Sequence, residues 1–298
     1  MRPAKFGFNT ETAESNPFQK NSFEEIEVIR KKVLEEFDEF VSALKTNGID
    51  FIVFLDSKLP EKPDAIFPNN WISFHHDGTV VFYPLFAENR RREQGMGMSI
   101  IDALRKKFKI VTLRDMSELA EKGIFLEGTG SVVFDHSNRT AFASISPRTQ
   151  SDSFAGLCQR LRYKPFWFHS FDRAGKAIYH TNVMMNISSK FAVVCFDCIQ
   201  ENEKEKVRKP LGESGREIIE ISIEQMNAFA GNMLTVQNLI GQEVLILSQT
   251  ALDSLDASQI NRLSAYCELL PISIPTIEKI GGGSVRCMVA EIFLEEIL

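Results

Sequence analysis

Residues 281–288 read GGGSVRCM and place Cys287 directly after a glycine-rich turn. Consecutive glycines let a backbone approach a bound molecule closely, because no side chain stands between them. The thiolate is the reactive form of cysteine, and a neighbouring cation such as Arg286 favours it. The segment therefore predicts a thiol that meets a substrate, and it makes Cys287 the first candidate catalytic residue.

Residues capable of chemistry precede Cys287 at nearly constant spacing. Counting back along the chain, the intervals are 55 residues to Asn232, 52 to His180, 53 to Glu127 and 57 to Asn70. The 298 residues hold about five such intervals, and a fixed period is typical of a repeated structural unit. We expect about five units, each of which brings one loop to a common centre.

The hydrophobic pattern alternates between helix and strand along the whole chain, which predicts an α/β fold without a long linker. Apolar residues at helical spacing predict a first helix from Ile26 to Leu44, and Ser22 with Glu25 matches an N-terminal capping box. Further helices are expected at 98–108, 115–123, 151–164, 222–232 and 258–268, and strands at 50–55, 109–113, within 124–135, and at 139–146, 165–172, 190–197, 243–248 and 269–275.

Two segments are polar or cysteine-rich and carry no expected chemistry. The run QENEKEKVRKPLGESG, residues 200–215, predicts a solvated loop, with a mobile lid as the functional alternative. The CFDC segment, residues 195–198, is expected within a strand, where its two cysteines point to opposite faces. It therefore predicts neither a redox pair nor half of a zinc site.

Charge and cysteine usage exclude several classes of protein. The net charge is −6 and the pI about 5.6, so the basic footprint of a nucleic-acid-binding protein is absent. Five cysteines do not suggest a disulfide framework, and no signal-peptide core or membrane-length apolar run occurs. Metal-ligand spacings and nucleotide loops are also missing. We expect a cytoplasmic protein without metal or organic cofactor, and its oligomeric state, a homo-oligomer included, stays open.

His180 and Glu127 complete a plausible catalytic set with Cys287. A histidine can take up and return protons near neutral pH. A carboxylate can bind the N–H donors of a substrate or orient the histidine. A cysteine with a distant histidine and a carboxylate is typical of covalent thiol catalysis.

An ordered set of motifs carries a family resemblance. LEG before a strand (126–128), the isolated His180 with its polar loop, SPRT (146–149) and GGGSVRC resemble the guanidine-modifying enzymes of the pentein superfamily. These are arginine deiminases, dimethylarginine dimethylaminohydrolases and amidinotransferases. The resemblance spans DAIFPNNW (64–71) to Met288. It implies a five-bladed α/β propeller of pseudosymmetric ββαβ modules, with residues 1–298 as a single catalytic domain.

The resemblance also implies roles at matching positions. Cys287 would attack the central carbon of a guanidinium or ureide, while His180 would protonate the departing amine and then activate water. Glu127 would hold substrate N–H groups, and Arg148 would clamp the carboxylate of an amino acid. The further substrate-binding candidates are Asp64, Asn69, Asn70, Arg90 or Arg91, Asn182, Asn232 and Ser284.

Asparagines stand where deiminases carry acids. Asn69–Asn70 and Asn182 replace carboxylates that recognise a cation, and an amide offers both a donor and an acceptor. A neutral ureide needs both, and FPNNW (67–71) resembles the branch of the superfamily that converts citrulline to ornithine, carbon dioxide and ammonia. The resemblance therefore makes citrulline the leading expected substrate. Arginine or methylarginine hydrolysis and amidino transfer are alternatives within the superfamily. A Cys–His amidase or protease of another fold and a non-catalytic binding protein are alternatives outside it.

Several candidate residues also have structural interpretations. Asn69 and Asn70 follow Pro68 and suit a turn, and Asn232 suits a helix C-cap. Arg148 is close enough in sequence to pair with Asp152, and Glu127 precedes a glycine, where it would cap a turn.

Overall fold

The computed structural model describes residues 1–297, within which twelve strands form four three-stranded sheets. The strands are β1 (Ile72–Phe74), β2 (Thr79–Phe82), β3 (Thr112–Asp115), β4 (Val133–Asp135), β5 (Thr140–Ser144), β6 (Lys164–Phe168), β7 (Met185–Ile187), β8 (Phe191–Val194), β9 (Glu217–Glu220), β10 (Leu234–Gln237), β11 (Glu243–Ser248) and β12 (Glu268–Ile272). The predicted α/β class is confirmed.

The α-helices lie mainly in the connections between strands. They are α1 (Thr10–Ala13), α2 (Ile26–Thr46), α3 (Glu88–Arg91), α4 (Gly97–Leu104), α5 (Gly128–Ser131), α6 (Ser151–Leu161), α7 (Lys204–Glu213), α8 (Ile223–Asn227), α9 (Gln249–Ser254), α10 (Ala257–Ser264) and α11 (Pro275–Gly281). Short 3₁₀ turns occupy Pro68–Asn70, Arg92–Met96, Ser117–Lys122, Thr181–Val183, Phe196–Cys198 and Glu201–Glu203. None of the helices in residues 1–297 is long and apolar enough to cross a membrane.

The four sheets share one topology. In each, the first two strands form an antiparallel hairpin and the third lies parallel to the second. A parallel neighbour requires a crossover connection, and each module supplies helices there. In the second module, α6 buries Phe154, Leu157, Cys158 and Leu161, a spacing that keeps one face on the core. Residues 1–297 thus contain four ββαβ modules, whereas the sequence predicted about five units.

The long helix α2 has the predicted apolar face but a different start. Ile29, Val33, Phe37, Phe40 and Leu44 are buried, as their spacing indicates. However, the helix begins after Glu25, whose side chain makes no capping bond, so the predicted Ser22 cap is wrong. Helix α2 packs on α11, the helix that leads to the Cys287 turn.

Three local predictions differ from the structure. Residues 50–55 are extended but pair only at Leu55, by a bridge to Arg2. The run 200–215 contains α7, which buries Val207 and Leu211 one helical turn apart, so two apolar residues suffice to anchor a charged helix. In the CFDC segment, residues 196–198 form a 3₁₀ turn, where the Cys198 thiol donates to the Cys195 carbonyl at 3.0 Å.

Candidate active site

Four of the candidate residues lie in turns that precede the first strand of a module. Asn70 ends the 3₁₀ turn before β1, and Glu127 is the N-cap of α5 before β4. His180 is the N-cap of the turn before β7, and Asn232 lies two residues before β10. Because one module repeats four times, equivalent turns meet at one centre, which accounts for the regular interval.

Helix α11 delivers Cys287 through the glycine-rich turn. Gly282 has φ +63°, and a Cβ there would lie 2.5–2.7 Å from atoms of Asn16 and Gln19. Its carbonyl accepts hydrogen bonds from Asn16 (3.1 Å) and from the Tyr179 hydroxyl (2.7 Å). The glycines therefore serve close packing with other segments of the chain around the site.

Two side-chain amides, those of Asn182 and Asn232, lie next to the Cys287 sulfur. The Nδ2 of Asn232 lies 3.4 Å from Sγ and that of Asn182 lies 3.6 Å away. Burial raises the pKa of the Cys287 thiol, while the hydrogen bond from Asn232 and the charge of Arg286 act in the opposite direction. The resting sulfur is therefore a protonated thiol among donors that favour the thiolate.

His180 and Glu127 form a buried hydrogen-bonded pair. The His180 Nε2 lies 2.6 Å from the Glu127 Oε2. An ionised carboxylate only accepts hydrogen bonds, so Nε2 carries the proton and Nδ1 is free to accept one. A Cβ on Gly130 would lie 2.7 Å from that Nδ1 and 2.5 Å from the Nδ2 of Asn70. Glycine is therefore needed where the imidazole and the Asn70 amide converge.

Charges fix the protonation states of this pair. Burial would raise the pKa of Glu127, but Arg148, whose Nη1 lies 3.5 Å away, and the bond from His180 lower it well below its usual range. Burial lowers the pKa of His180 to about 4, although Glu127 opposes this shift. At neutral pH the pair is a carboxylate and a neutral imidazole.

Arg90 organises a second buried group of charges. It binds Glu93 through two nitrogens, at 2.8 and 3.0 Å, and donates to the Oδ1 of Asn70 at 2.6 Å. Its Nε lies 3.7 Å from Asp64. Burial raises the pKa of Asp64, and it raises that of Glu93 to about 7. Arg90 thus links Asn70 to a carboxylate cluster inside the protein.

Residues 9–19, here called the N-terminal cap, cover this site. Asn9 and Thr12 donate to Asp64, at 2.7 and 3.3 Å. Arg148 donates to the Ser15 hydroxyl (2.6 Å) and to the Thr12 carbonyl (2.9 Å). Cys287 is 3% exposed and His180 2%. Both side chains are therefore almost fully enclosed, and the cap contributes to this enclosure.

The structure brings most of the predicted residues together. The Cys287 cluster contains Asn182 and Asn232, and the charged cluster contains Asp64, Asn70, Glu127, Arg148 and His180. The Asn69 side chain accepts a hydrogen bond from Asn70 at 3.0 Å. Helix α8 ends at Asn227 with Ala228 as its C-cap, so Asn232 is not a helix cap.

Two further candidate residues lie outside these two clusters. Arg91 donates to the carbonyls of Leu85 and Phe86 and pairs with Glu121, so its neighbour Arg90 occupies the buried position instead. Ser284 donates to Glu278 at 2.6 Å, within the support of the turn. Among residues 1–297, no group of three or more His, Cys, Asp or Glu side chains is arranged to hold a metal.

The cap, Glu93 and Tyr179 are not among the residues predicted from the sequence. The Tyr179 hydroxyl bonds Gly282, and its ring lies 4.9 Å beneath the Arg148 guanidinium. The only sequence signal for the cap is the polar composition of FNTETAESNPFQ (8–19), which lacks a hydrophobic period.

Comparison with known proteins shows the family of the chain. The family model described as "N,N dimethylarginine dimethylhydrolase, eukaryotic" matches residues 2–294. The chain belongs to this family, within the guanidine-modifying pentein superfamily, so the resemblance seen in the sequence is confirmed. Its relatives are hydrolases of C–N bonds in guanidino compounds. No curated protein sequence matches the chain.

Solved structures show the same fold at low identity. The substrate-bound N-terminal domain of ArgZ, a cyanobacterial arginine dihydrolase, is 15% identical with a TM-score of 0.74, over 98% of this chain and 97% of that one. An AgrE mutant bound to L-arginine is 16% identical with a TM-score of 0.74, over 96% and 38%. A dimethylarginine dimethylaminohydrolase adduct is 13% identical with a TM-score of 0.64, over 95% and 96%.

Proposed function

We propose that this protein is a cysteine-dependent hydrolase that converts citrulline to ornithine, carbon dioxide and ammonia. The observation that carries the proposal is the neutral environment of the nucleophile. Cys287 faces the amides of Asn182 and Asn232, whereas the carboxylates lie with Arg148 and Arg90. Amides can donate to a ureide oxygen and accept from its N–H groups.

In the first step, the Cys287 sulfur attacks the ureide carbon and the terminal C–N bond breaks. The leaving nitrogen takes a proton and departs as ammonia, which leaves a thiocarbamate on the sulfur. Glu127 holds His180 with Nε2 protonated, so Nδ1 accepts the thiol proton and returns it to the leaving nitrogen. Asn182 and Asn232 stabilise the developing thiolate.

In the second step, water replaces ammonia and adds to the thiocarbamate. His180 accepts a proton from the water and returns one to the departing sulfur, which regenerates the thiol. The released carbamic acid loses carbon dioxide and leaves the amine of ornithine. The same base therefore serves both halves of the reaction.

Arg148 is suited to the α-carboxylate of the substrate. Its guanidinium now bonds Ser15 and the Thr12 carbonyl, both in the cap. A carboxylate forms stronger, bidentate bonds with arginine than these neutral groups do. We therefore assign the cap contacts to the free enzyme and the carboxylate contact to the complex.

Arginine is a second candidate substrate, and buried charge favours it. Together with Arg90 and Glu93, which adjoin it, the charged cluster holds two arginines and three carboxyl groups. The arginines are Arg90 and Arg148, and the carboxyl groups are those of Asp64, Glu93 and Glu127. When all three are ionised, one negative charge is in excess, and a guanidinium would offset it. One enzyme could then act on arginine and on the citrulline formed from it. The family description adds methylated arginines.

We also propose that the chain closes as a five-bladed propeller, with a fifth module built from both termini. The backbone N–H of Arg2 donates to the Phe54 carbonyl (2.9 Å), and the Arg2 carbonyl accepts from the backbone N–H of Asp56 (3.0 Å). The segments before and after helix α2 therefore pair in the parallel sense. Residues after Cys287 pair with β1 through Ile292. This arrangement supports a single catalytic domain.

The test is incubation of the purified chain with citrulline, arginine and N-methylated arginines, with ornithine, citrulline and ammonia followed. The proposal expects ornithine from citrulline. Turnover of arginine that stops at citrulline would overturn the ureide assignment while retaining the hydrolase. Inactivity towards every substrate would overturn both.

A further inference from the structure

Tyr179 contacts both ends of the candidate site. It is buried and immediately precedes His180. Its hydroxyl donates to the Gly282 carbonyl at 2.7 Å, in the turn that leads to Cys287. The face of its ring lies 4.9 Å from the guanidinium of Arg148. One side chain therefore touches both the turn that carries the nucleophile and the arginine suited to the α-carboxylate.

The hydroxyl contact holds the glycine-rich turn. Burial raises the pKa of Tyr179, so the hydroxyl keeps its proton and acts as a donor. Among residues 1–297, the other side chain that donates to the Gly282 carbonyl is Asn16 of the cap, at 3.1 Å. A buried carbonyl that loses one of two donors is less well fixed. Tyr179 therefore supports the turn from outside the cap.

The ring contact holds the guanidinium of Arg148. A cation above an aromatic face is attracted to it, and the attraction is stronger where both groups are desolvated, as they are here. Arg148 also contacts Glu127, and it bonds Ser15 and Thr12 of the cap. Under the proposed function, the substrate carboxylate displaces the cap contacts. The Tyr179 ring and Glu127 then remain as the supports of the guanidinium.

The backbones of Tyr179 and Arg148 are also tied together. The Ser146 hydroxyl donates to the Tyr179 carbonyl at 2.8 Å and accepts from the backbone N–H of Arg148 at 3.2 Å. Ser146 thus links the two residues through their backbones, while the ring and the guanidinium link them through their side chains. The position of Arg148 relative to Tyr179 is therefore fixed twice.

We propose that Tyr179 is a positioning residue that sets the separation of Arg148 and the Cys287 turn, an inference that rests on the proposed function. The sulfur must reach the ureide carbon while Arg148 binds the carboxylate at the other end of the same molecule. Holding reacting atoms at the right distance lowers the barrier of the chemical step. The hydroxyl of Tyr179 thus serves catalysis at the sulfur, and its ring serves recognition of the carboxylate.

Tyr163 makes the same two kinds of contact outside the site and offers a matched control. It is also buried. Its hydroxyl lies 2.8 Å from the Nδ1 of His136, and its ring lies 4.5 Å from the guanidinium of Arg139. Exchanges at Tyr163 therefore remove the same contacts without touching the candidate catalytic residues.

The test compares Tyr179→Phe, which removes the hydroxyl, with Tyr179→Leu, which also removes the ring. Tyr179→Phe should lower kcat for citrulline about fivefold and change KM less than about twofold, since one hydrogen bond to the turn is lost. Tyr163→Phe should keep the kcat of the wild type. An equal fall in kcat in both phenylalanine variants would show a structural effect and overturn the role of the hydroxyl.

The ring is tested with a substrate that lacks the carboxylate. Citrulline and its α-amide share the ureide, but the neutral amide cannot form the charged, bidentate contact with Arg148. The ratio of their kcat/KM values should fall about tenfold in Tyr179→Leu and stay unchanged in Tyr179→Phe and Tyr163→Leu. General damage to the site affects both substrates and cancels in this ratio. If the wild type acts on arginine instead, arginine and its α-amide give the same ratio.

Tyr179→Phe decides the test if Tyr179→Leu does not fold, because it keeps the ring and the packing. A kcat equal to that of the wild type would then overturn the proposal. An active wild type whose folded Tyr179 variants keep both kcat and the ratio would overturn the role of Tyr179 and leave the proposed function intact. A wild type that turns over no ureide or guanidine would overturn both.

Discussion

The site has a neutral side around Cys287 and a charged side around His180. Around Cys287 the neighbours are neutral amides, and the pKa of the thiol stays raised. Around His180, ionised groups offset one another, with Glu127 between the imidazole and Arg148. The charged side thus holds a neutral imidazole against a carboxylate, whereas the neutral side keeps the sulfur as a thiol. For the proposed function, this contrast means that substrate binding itself completes the nucleophile.

Removing the carboxylate at the centre of the charged side should have the largest effect. Glu127→Gln keeps only one of the two acceptor oxygens that bond Phe86 and His180, and it leaves Arg148 without its counter-charge. We expect kcat/KM to fall about 10³-fold and stability by about 3 kcal/mol, measured by steady-state kinetics and denaturant unfolding. Glu121→Gln, on the surface, is the control. A loss in kcat/KM below tenfold would mean that Glu127 does not orient the base.

Acid should destabilise the protein through buried histidines rather than through Glu127. Burial lowers the pKa of His75 to about 4, of His136 to about 3 and of His180 to about 4. In the unfolded chain, a histidine binds its proton below about pH 6.5. In the folded protein, these three histidines bind theirs only at about pH 4 (His75 and His180) or about pH 3 (His136). Their contribution to the free energy of unfolding is therefore complete above about pH 6.5 and is lost as the pH falls. Each contributes up to about 1.4 kcal/mol per pH unit.

Urea unfolding between pH 7 and 4.5 measures this slope. The variant His136→Gln should flatten it by about one third of the histidine contribution. If the wild type and His136→Gln showed the same flat profile from pH 7 to 5, the lowered pKa values of these imidazoles would be contradicted.

The neutral side should tune thiol reactivity to a smaller extent. Asn232→Ala removes the shorter of the two donors to the sulfur and should raise the thiol pKa further. We expect the rate of Cys287 alkylation by iodoacetamide at pH 7 to fall about tenfold, since hydrogen bonds to a charged group are worth about 1.5–3 kcal/mol. Asn227→Ala, the same exchange at an exposed position, serves as the control. Alkylation that becomes faster would assign Asn232 a shielding role.

The contact between cap and charged side should give the smallest effect. Ser15→Ala removes a partner of Arg148 that the substrate carboxylate must displace. KM for citrulline should fall about threefold, with kcat unchanged. Ser22→Ala, outside the cap, should leave KM as in the wild type. A rise in KM would show that Ser15 binds the substrate instead.

Regular spacing predicted a repeated module, and it predicted that Glu127, His180 and Asn232 occupy equivalent turns, because each module repeats one turn before its first strand. The cap was not predictable, since Asn9, Thr12 and Ser15 act through contacts with residues far along the chain. Arg90 and Arg91 are adjacent and chemically identical, so only the winding of α3 decides which one is buried. Helix α7 was missed because two apolar residues give too weak a period.

The most direct test of the central claim is detection of the covalent intermediate. The protein is mixed with excess citrulline labelled at the ureide carbon, quenched in acid during turnover, digested and analysed by mass spectrometry. We expect citrulline less ammonia bound to the peptide that contains Cys287, and no adduct on the other four cysteines. Ornithine formation in a Cys287→Ser variant, or an adduct on a different cysteine, would contradict it.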